Sequence, residues 1–201
     1  MSFSTFAACI NKLPPEIRIH FSGFSEPFLN PACTDMILYA YQLHHDIIVY
    51  STLVGFTESD AVRLKDVRFK KFVVHVKDGK TNFKNQNEIE LLDKYGIKYE
   101  IYNAEEEGII NRAGNLDGSQ CDIIAGPIKC DDNRHMQNVL LPNGDVVLCC
   151  MDYSLEYKLG NLIQYDYVSL FNSSNFRRII QGMKDDSMSI ICRRCNRAVN
   201  V

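Results

Sequence analysis

Four cysteines in the last third of the chain constrain its fold more than any other feature. Cys130 is followed after thirteen residues by Gly144 and after four more by Cys149, and a C-x2-C pair, Cys192 and Cys195, completes the frame. Pro142-Asn143-Gly144 is a turn signal, so a hairpin is expected to return Cys149 to the neighbourhood of Cys130, with Asn143 and Gly144 both at positive φ. Two thiolates from a hairpin and two from a tight turn close one tetrahedral site. Structural zinc and iron-sulfur clusters both use that ligand set, and spacing alone leaves the choice open.

The chain has eight cysteines in 201 residues, and Cys9, Cys33, Cys121 and Cys150 fall outside the frame. Successive strand residues point to opposite faces, so Cys149 and Cys150 are not expected to serve one site together. Cys149 keeps the glycine spacing, and Cys150 is assigned a buried, inert role. No run of about 18 apolar residues is present, and Met1-Ser2-Phe3-Ser4-Thr5-Phe6 lacks the basic flank and apolar core of a signal peptide. A cytosolic protein with reduced thiols follows, with no membrane partner. Lys plus Arg number 22 against 25 Asp plus Glu, so no general positive field attracts nucleic acid.

The first hundred residues alternate strand and helix patterns. A helix over 4–12 stops at Leu13-Pro14-Pro15, where proline disfavours the helical conformation of the preceding residue. Strands are predicted at 17–21, 46–51, 69–76 and 97–102. Between them, helices are expected at 32–45, from Thr57 to about Leu64 with Thr57 as cap, and at 85–95. Alternation of this kind implies an α/β unit with parallel strands joined by crossovers. Ligands of such sheets sit at the carboxyl ends of the strands, which draws attention to the loops 22–27, 51–55 and 76–80. Glu26, held between a strand and Pro27, is the acid best placed there to accept from a ligand amine.

Ser22-Gly23-Phe24-Ser25-Glu26-Pro27 resembles the Gly-Gly-Glu-Pro segment of radical S-adenosylmethionine enzymes, with Phe24 and Ser25 departing from the glycines. Tyr50-Ser51-Thr52-Leu53-Val54-Gly55 is similar to that family's ribose-contacting loop, and Asn111-Arg112-Ala113-Gly114-Asn115-Leu116 to the arginine-bearing junction before its C-terminal extension. The cysteine frame resembles the SPASM and twitch extensions that carry an auxiliary cluster. The resemblance implies a partial (β/α) barrel over 1–115 and a small cysteine-rich α+β SPASM/twitch domain over 116–201. It also implies S-adenosylmethionine contacts at Glu26, Ser51 and Arg112, and one auxiliary 4Fe-4S cluster on Cys130, Cys149, Cys192 and Cys195. That preference moves the metal assignment from zinc to iron-sulfur; the alternative is a non-catalytic binding or scaffold module with a structural zinc site on the same four cysteines.

The family's catalytic cluster is held by C-x3-C-x2-C, and this sequence contains no such triplet. Reductive cleavage of S-adenosylmethionine is therefore not expected from this chain alone. The strand at 17–21 also lacks a neighbour, which implies a shortened fragment of a longer enzyme, a natural reduced form that has lost the reaction, or a second chain completing the barrel. The substrate class left open is a small molecule or a peptide.

In the extension, Met136 to Leu141 is read as the first hairpin strand. Val168 to Met183 is read as one helix covering the metal site, and Arg193 and Arg194 either offset cluster charge or form a solvated turn. His44-His45 is read as a helix end, and His20 and His75 as core residues. His135 is read as part of a solvated loop. No phosphate-binding glycine loop with lysine and no serine elbow occurs, which excludes the corresponding kinase and hydrolase chemistries.

Overall fold

The computed structural model describes residues 1–76, 86–103, 111–115 and 122–201. The chain divides into two compact units, Met1–Ile109 and Ile110–Val201. Residues 77–80 of the third candidate loop, Asn85, Leu116 and Cys121 lie outside the described residues. No helix among the described residues is long and apolar enough to cross a membrane.

The first unit runs α1 (Phe3–Ile10), β1 (Ile19–Phe21), α2 (Cys33–Gln42), β2 (Ile47–Ser51), α3 (Glu58–Leu64), β3 (Lys71–Val76), α4 (Gln86–Lys94) and β4 (Glu100–Asn103). The strands lie in the order β1-β2-β3-β4 and every pairing is parallel, as the alternating pattern predicts. Register follows burial. Ile19 pairs with Ile47, Phe21 with Val49, and Val49 with Phe72, so that these side chains share one face with α1 to α4. The period of two puts His20, Tyr50, His75 and Tyr102 on the other face. Their rings form a row with centroid spacings of 6.1, 5.8 and 4.7 Å. His20 is therefore exposed rather than a core residue, and His75 is only half-buried. Burial lowers the basicity of both imidazoles. Arg18 adds to the effect at His20, and the Glu26 carboxylate opposes it at His75.

Capping sets the helix ends. Thr57 accepts the Asp60 amide at 3.4 Å while the Asp60 carboxylate accepts the Thr57 amide at 2.9 Å, a reciprocal box that starts α3. α2 ends in a Schellman arrangement, with the His44 amide on Tyr41 O and the His45 amide on Ala40 O, and His44 itself at φ +66°. α4 ends the same way with Gly96 at φ +68° in the equivalent place. His45 is buried, its Nδ1 2.7 Å from Ile17 O.

The second unit contains β5 (Ile128–Cys130) paired antiparallel with β9 (Ala198–Asn200), and a meander of β6 (Val139–Leu140), β7 (Asp145–Val147) and β8 (Lys158–Asn161). Two helices follow β8: α5 (Tyr167–Leu170) and α6 (Ser174–Lys184). The sequence pattern suggested one helix over Val168 to Met183. The break falls where Ser173 leaves helical geometry and caps α6 by accepting the Phe176 amide at 3.2 Å. The expected strand from Met136 is likewise shorter, because Arg134–Met136 forms a 3-10 turn. At the hairpin tip only Gly144 takes positive φ, +85°, and Asn143 does not. Leu141 O accepts the Gly144 amide and Leu141 N donates to Asp145 O. Pro142 thus holds the second position of a four-residue turn, and glycine closes it as a bulge.

These ends make opposite predictions. Thr57→Ala, which breaks the α3 box, is expected to lower stability by about 1 kcal/mol. His44→Gly, which relieves a left-handed non-glycine residue, is expected to raise it by roughly 0.5–1 kcal/mol. Urea denaturation of the two variants beside the parent chain measures both.

Candidate metal centre

Cys130 ends β5, opposite Ala198 of β9, so this short pairing joins the first thiol to the strand just beyond the C-x2-C turn. Asn133, at φ +53°, turns the chain into the 3-10 turn Arg134–Met136, and the Arg134 amide reaches back to Cys130 Sγ at 3.2 Å. Cys149 lies two residues past β7, where the Leu148 amide donates to Tyr157 O. The fully buried Asp152 fixes the next loop, accepting the amides of Glu156 at 3.1 Å and Tyr157 at 2.9 Å. Cys192 and Cys195 are carried by the 3-10 turn Ile191–Arg194, closed by the Cys195 amide on Cys192 O at 3.1 Å. The Arg197 amide points at Cys195 Sγ from 3.4 Å.

All four thiols line one cavity of about 20 Å³, walled otherwise by Ala113, Met151, Ile191 and Ala198 and by the basic residues Arg134, His135 and Arg197. Cys149 and Cys195 are buried, while Cys130 and Cys192 are half-buried. Burial pushes the Cys149 thiol up to about 12, against the opposing amides of Met151 and Asp152. Cys192 is raised further, first by burial and then by the neighbouring Cys149, Cys195 and Cys130. Burial also raises Cys195, with the Arg197 amide and Arg134 opposing. Burial thus holds these groups as neutral thiols in the metal-free chain, and metal ligation would displace their protons.

One observation bears on which centre fits: His135 Nδ1 and Arg197 Nε are buried without a hydrogen-bond partner. A buried donor left unsatisfied costs about 1–3 kcal/mol. Zinc brings no acceptor atom of its own, whereas an iron-sulfur cluster brings sulfides. The donor set and the orphaned groups therefore fit a cluster.

Several side chains are placed differently from expectation. Cys150 is only partly buried, and Arg134 Nη1 lies 3.4 Å from its sulfur, so it is not an inert core thiol. Leu148 onward lies beyond β7, and the loop rather than strand alternation separates the two sulfurs. Arg193 is buried and turned away from the thiols. Its guanidinium donates to Ile124 O at 2.6 Å, Gly126 O at 3.0 Å, Gly182 O at 2.7 Å and Asp185 O, and pairs with the Asp186 carboxylate at 2.8 Å. It therefore neither offsets cluster charge nor sits in a solvated turn. Arg194 is exposed. α6 contributes no wall to the cavity. It is tied to the C-x2-C turn through Gly182 and Arg193 instead. His135, expected in a solvated loop, lines the cavity, and burial lowers its basicity. Arg134 and Arg197 escaped the sequence reading, although each lies within four residues of a frame cysteine.

Arg112 and Ala113 adopt consecutive left-handed conformations, φ +49° and +55°, which place Ala113 in the cavity wall. Arg112 Nη1 donates to Cys150 O at 2.7 Å, and Asn111 Nδ2 to Arg194 O at 3.0 Å. In the first unit, Glu26 and Ser51 meet at the carboxyl ends of β1 and β2. Glu26 Oε1 accepts Ser51 Oγ at 2.5 Å and the Phe28 amide at 3.3 Å, and Oε2 accepts both the amide and the hydroxyl of Thr52 at 2.7 Å. A carboxylate offers about four acceptor sites, and all are taken.

Residues 130–196 match the family model described as SPASM, an iron-sulfur cluster-binding domain. The match begins on Cys130 and ends one residue past Cys195. Among solved structures, the chain is similar to BtrN in complex with AdoMet and 2-DOIA, with a TM-score of 0.73 at 17% identity over 100% of this chain and 81% of that one. It is also similar to anSMEcpe with bound AdoMet, with a TM-score of 0.62 at 15% identity over 98% of this chain and 78% of that one. These likenesses show the fold. No curated protein matches the sequence.

The buried guanidinium generates a prediction. Arg193→Met strands the carbonyls it satisfied and is expected to destabilise the chain by about 3 kcal/mol or more, whereas the neighbouring Arg194→Ala stays within about 0.5 kcal/mol of the parent. Chemical denaturation followed by circular dichroism compares them.

Proposed function

We propose that this chain, which carries a SPASM domain on the fold of the radical S-adenosylmethionine proteins, binds one auxiliary 4Fe-4S cluster through Cys130, Cys149, Cys192 and Cys195. The observation that carries the reading is the convergence of four thiols, from three separated segments, on one cavity that also collects orphaned donors. When bound, such a cluster accepts or donates a single electron. Four thiolates leave no iron open, which favours electron transfer or structural support over substrate ligation. Around it the chain directs the amides of Arg134 and Arg197 at two of the sulfurs.

The first unit is the natural seat for S-adenosylmethionine in this reading, with Glu26 and Ser51 at the carboxyl edge of the sheet. An amine arriving at Glu26 has to replace one of its present donors. Arg112, whose guanidinium holds the Cys150 carbonyl, is read as part of the scaffold of the metal centre. The sequence lacks C-x3-C-x2-C, so the chain by itself is not expected to cleave S-adenosylmethionine reductively. One similar structure is a complex with 2-DOIA and another with a Cp18Cys peptide, which supports a small molecule or a peptide as the substrate class in this reading.

Anaerobic reconstitution with iron and sulfide tests the metal assignment. The full chain is expected to take up iron and acid-labile sulfide in equal amounts and to show broad visible absorption. Uptake of zinc with no such absorption would sink the iron-sulfur reading. Incubation of the loaded chain with S-adenosylmethionine and a strong reductant is expected to yield no 5′-deoxyadenosine, and sustained formation of that product would overturn the second part.

A further inference from the structure

Three basic side chains line the four-thiol cavity, and they are not equivalent. Arg134 is committed within the protein: its Nε is paired with the Asp132 carboxylate and its Nη1 lies 3.4 Å from Cys150 Sγ. His135 and Arg197 differ, because His135 Nδ1 and Arg197 Nε are buried and find no acceptor among the described residues, not even a thiol sulfur. Both residues come from segments that the thiol frame itself fixes. His135 sits on the 3-10 turn whose first amide bonds Cys130 Sγ, and Arg197 follows Cys195, with its amide on that sulfur. Among the described residues Asn138 Oδ1 and Arg193 Nε are also buried without a partner, but neither residue lines the cavity. Buried polar atoms are almost always satisfied in native proteins, and two unsatisfied nitrogens on one cavity point to an acceptor that belongs there.

Resting on the cluster reading above, we infer that His135, protonated at Nδ1, and Arg197, through its Nε–H, donate hydrogen bonds to sulfurs of the bound cluster and raise its reduction potential. The physical reason is charge. Reduction adds one negative charge to a cluster, and that charge settles largely on the sulfurs. A donor aimed at a sulfur stabilises the reduced form more than the oxidised one. The two donor atoms are themselves buried, where such a bond is less screened than in water. His135 and Arg197 are thus positioning and tuning residues for the cluster, distinct from its ligands.

The test uses the full chain, reconstituted with iron and sulfide, with iron content measured before each redox titration. His135→Phe removes the imidazole donor, and His135→Gln restores an amide donor of similar reach. Arg197→Lys keeps the positive charge and loses the Nε–H. The expected result is a midpoint potential shifted negative in His135→Phe and in Arg197→Lys at unchanged iron content, with His135→Gln lying between His135→Phe and the parent. A double variant, His135→Phe with Arg197→Lys, is expected to shift by about the sum, as separate donors do. Parent-like potentials in the fully loaded single variants would overturn the inference while leaving the cluster assignment intact. If His135→Phe fails to load, Arg197→Lys decides alone, and an unshifted potential there overturns it. A parent chain that takes up no cluster removes the proposed function first, and is recognised before any variant is compared.

Discussion

The second unit depends on one planar side chain. Arg193 lies between the two cysteines of the C-x2-C turn, yet its guanidinium faces the opposite way, toward oxygens of Ile124, Gly126, Gly182, Asp185 and Asp186. Those oxygens belong to the lead into β5 and to the end of α6, two stretches that share no hydrogen-bonded ladder. A fork of five donors is the side chain best able to satisfy so many acceptors from one buried position. With Arg193 anchored behind, Cys192 and Cys195 are presented toward the cavity from a fixed platform. Gly182 allows the close approach, since a Cβ there would meet Ile190 Cγ2 at 2.7 Å.

The metal centre is assembled from the ends of regular elements rather than from their middles. Cys130 ends a strand, Cys149 follows one, and the C-x2-C pair rides a 3-10 turn between Ile190 and β9. Such positions leave backbone amides without ladder partners, and here the amides of Arg134 and Arg197 turn to sulfur. The site thus turns the unpaired donors of loops into second-layer support for thiolates. The carboxyl edge of the first unit follows the same logic. Glu26 is held by the amides of Phe28 and Thr52 and by two hydroxyls, a network that keeps an acidic group ordered at the strand ends.

Much of this was legible in the residues. The alternation of strand and helix segments over the first hundred residues predicts the parallel sheet, and Thr57 predicts the start of α3. The spacing of the four cysteines predicts their convergence, and the SPASM match covers the same span. The misreadings share a cause. The long helix through Phe171 was predicted from apolar recurrence, which does not register that Ser173 competes with the helix as a cap. The two-residue turn at Asn143-Gly144 was predicted from a local dipeptide, whereas Pro142 moves the turn one residue earlier.

By itself the sequence determined that strands and helices alternate and where α3 begins, because each follows from short-range pattern or from a cap within one turn of its partner, and the cysteine spacing set out the four-thiol frame. Only the tertiary structure decided the directions of the side chains in irregular segments. It turned Arg193 inward to distant carbonyls, set His135 and Arg197 against the thiols, and closed Glu26 onto Ser51 and Thr52. The physical reason is that a side chain outside a periodic element takes its direction from contacts dozens of residues away, and no local spacing encodes those contacts.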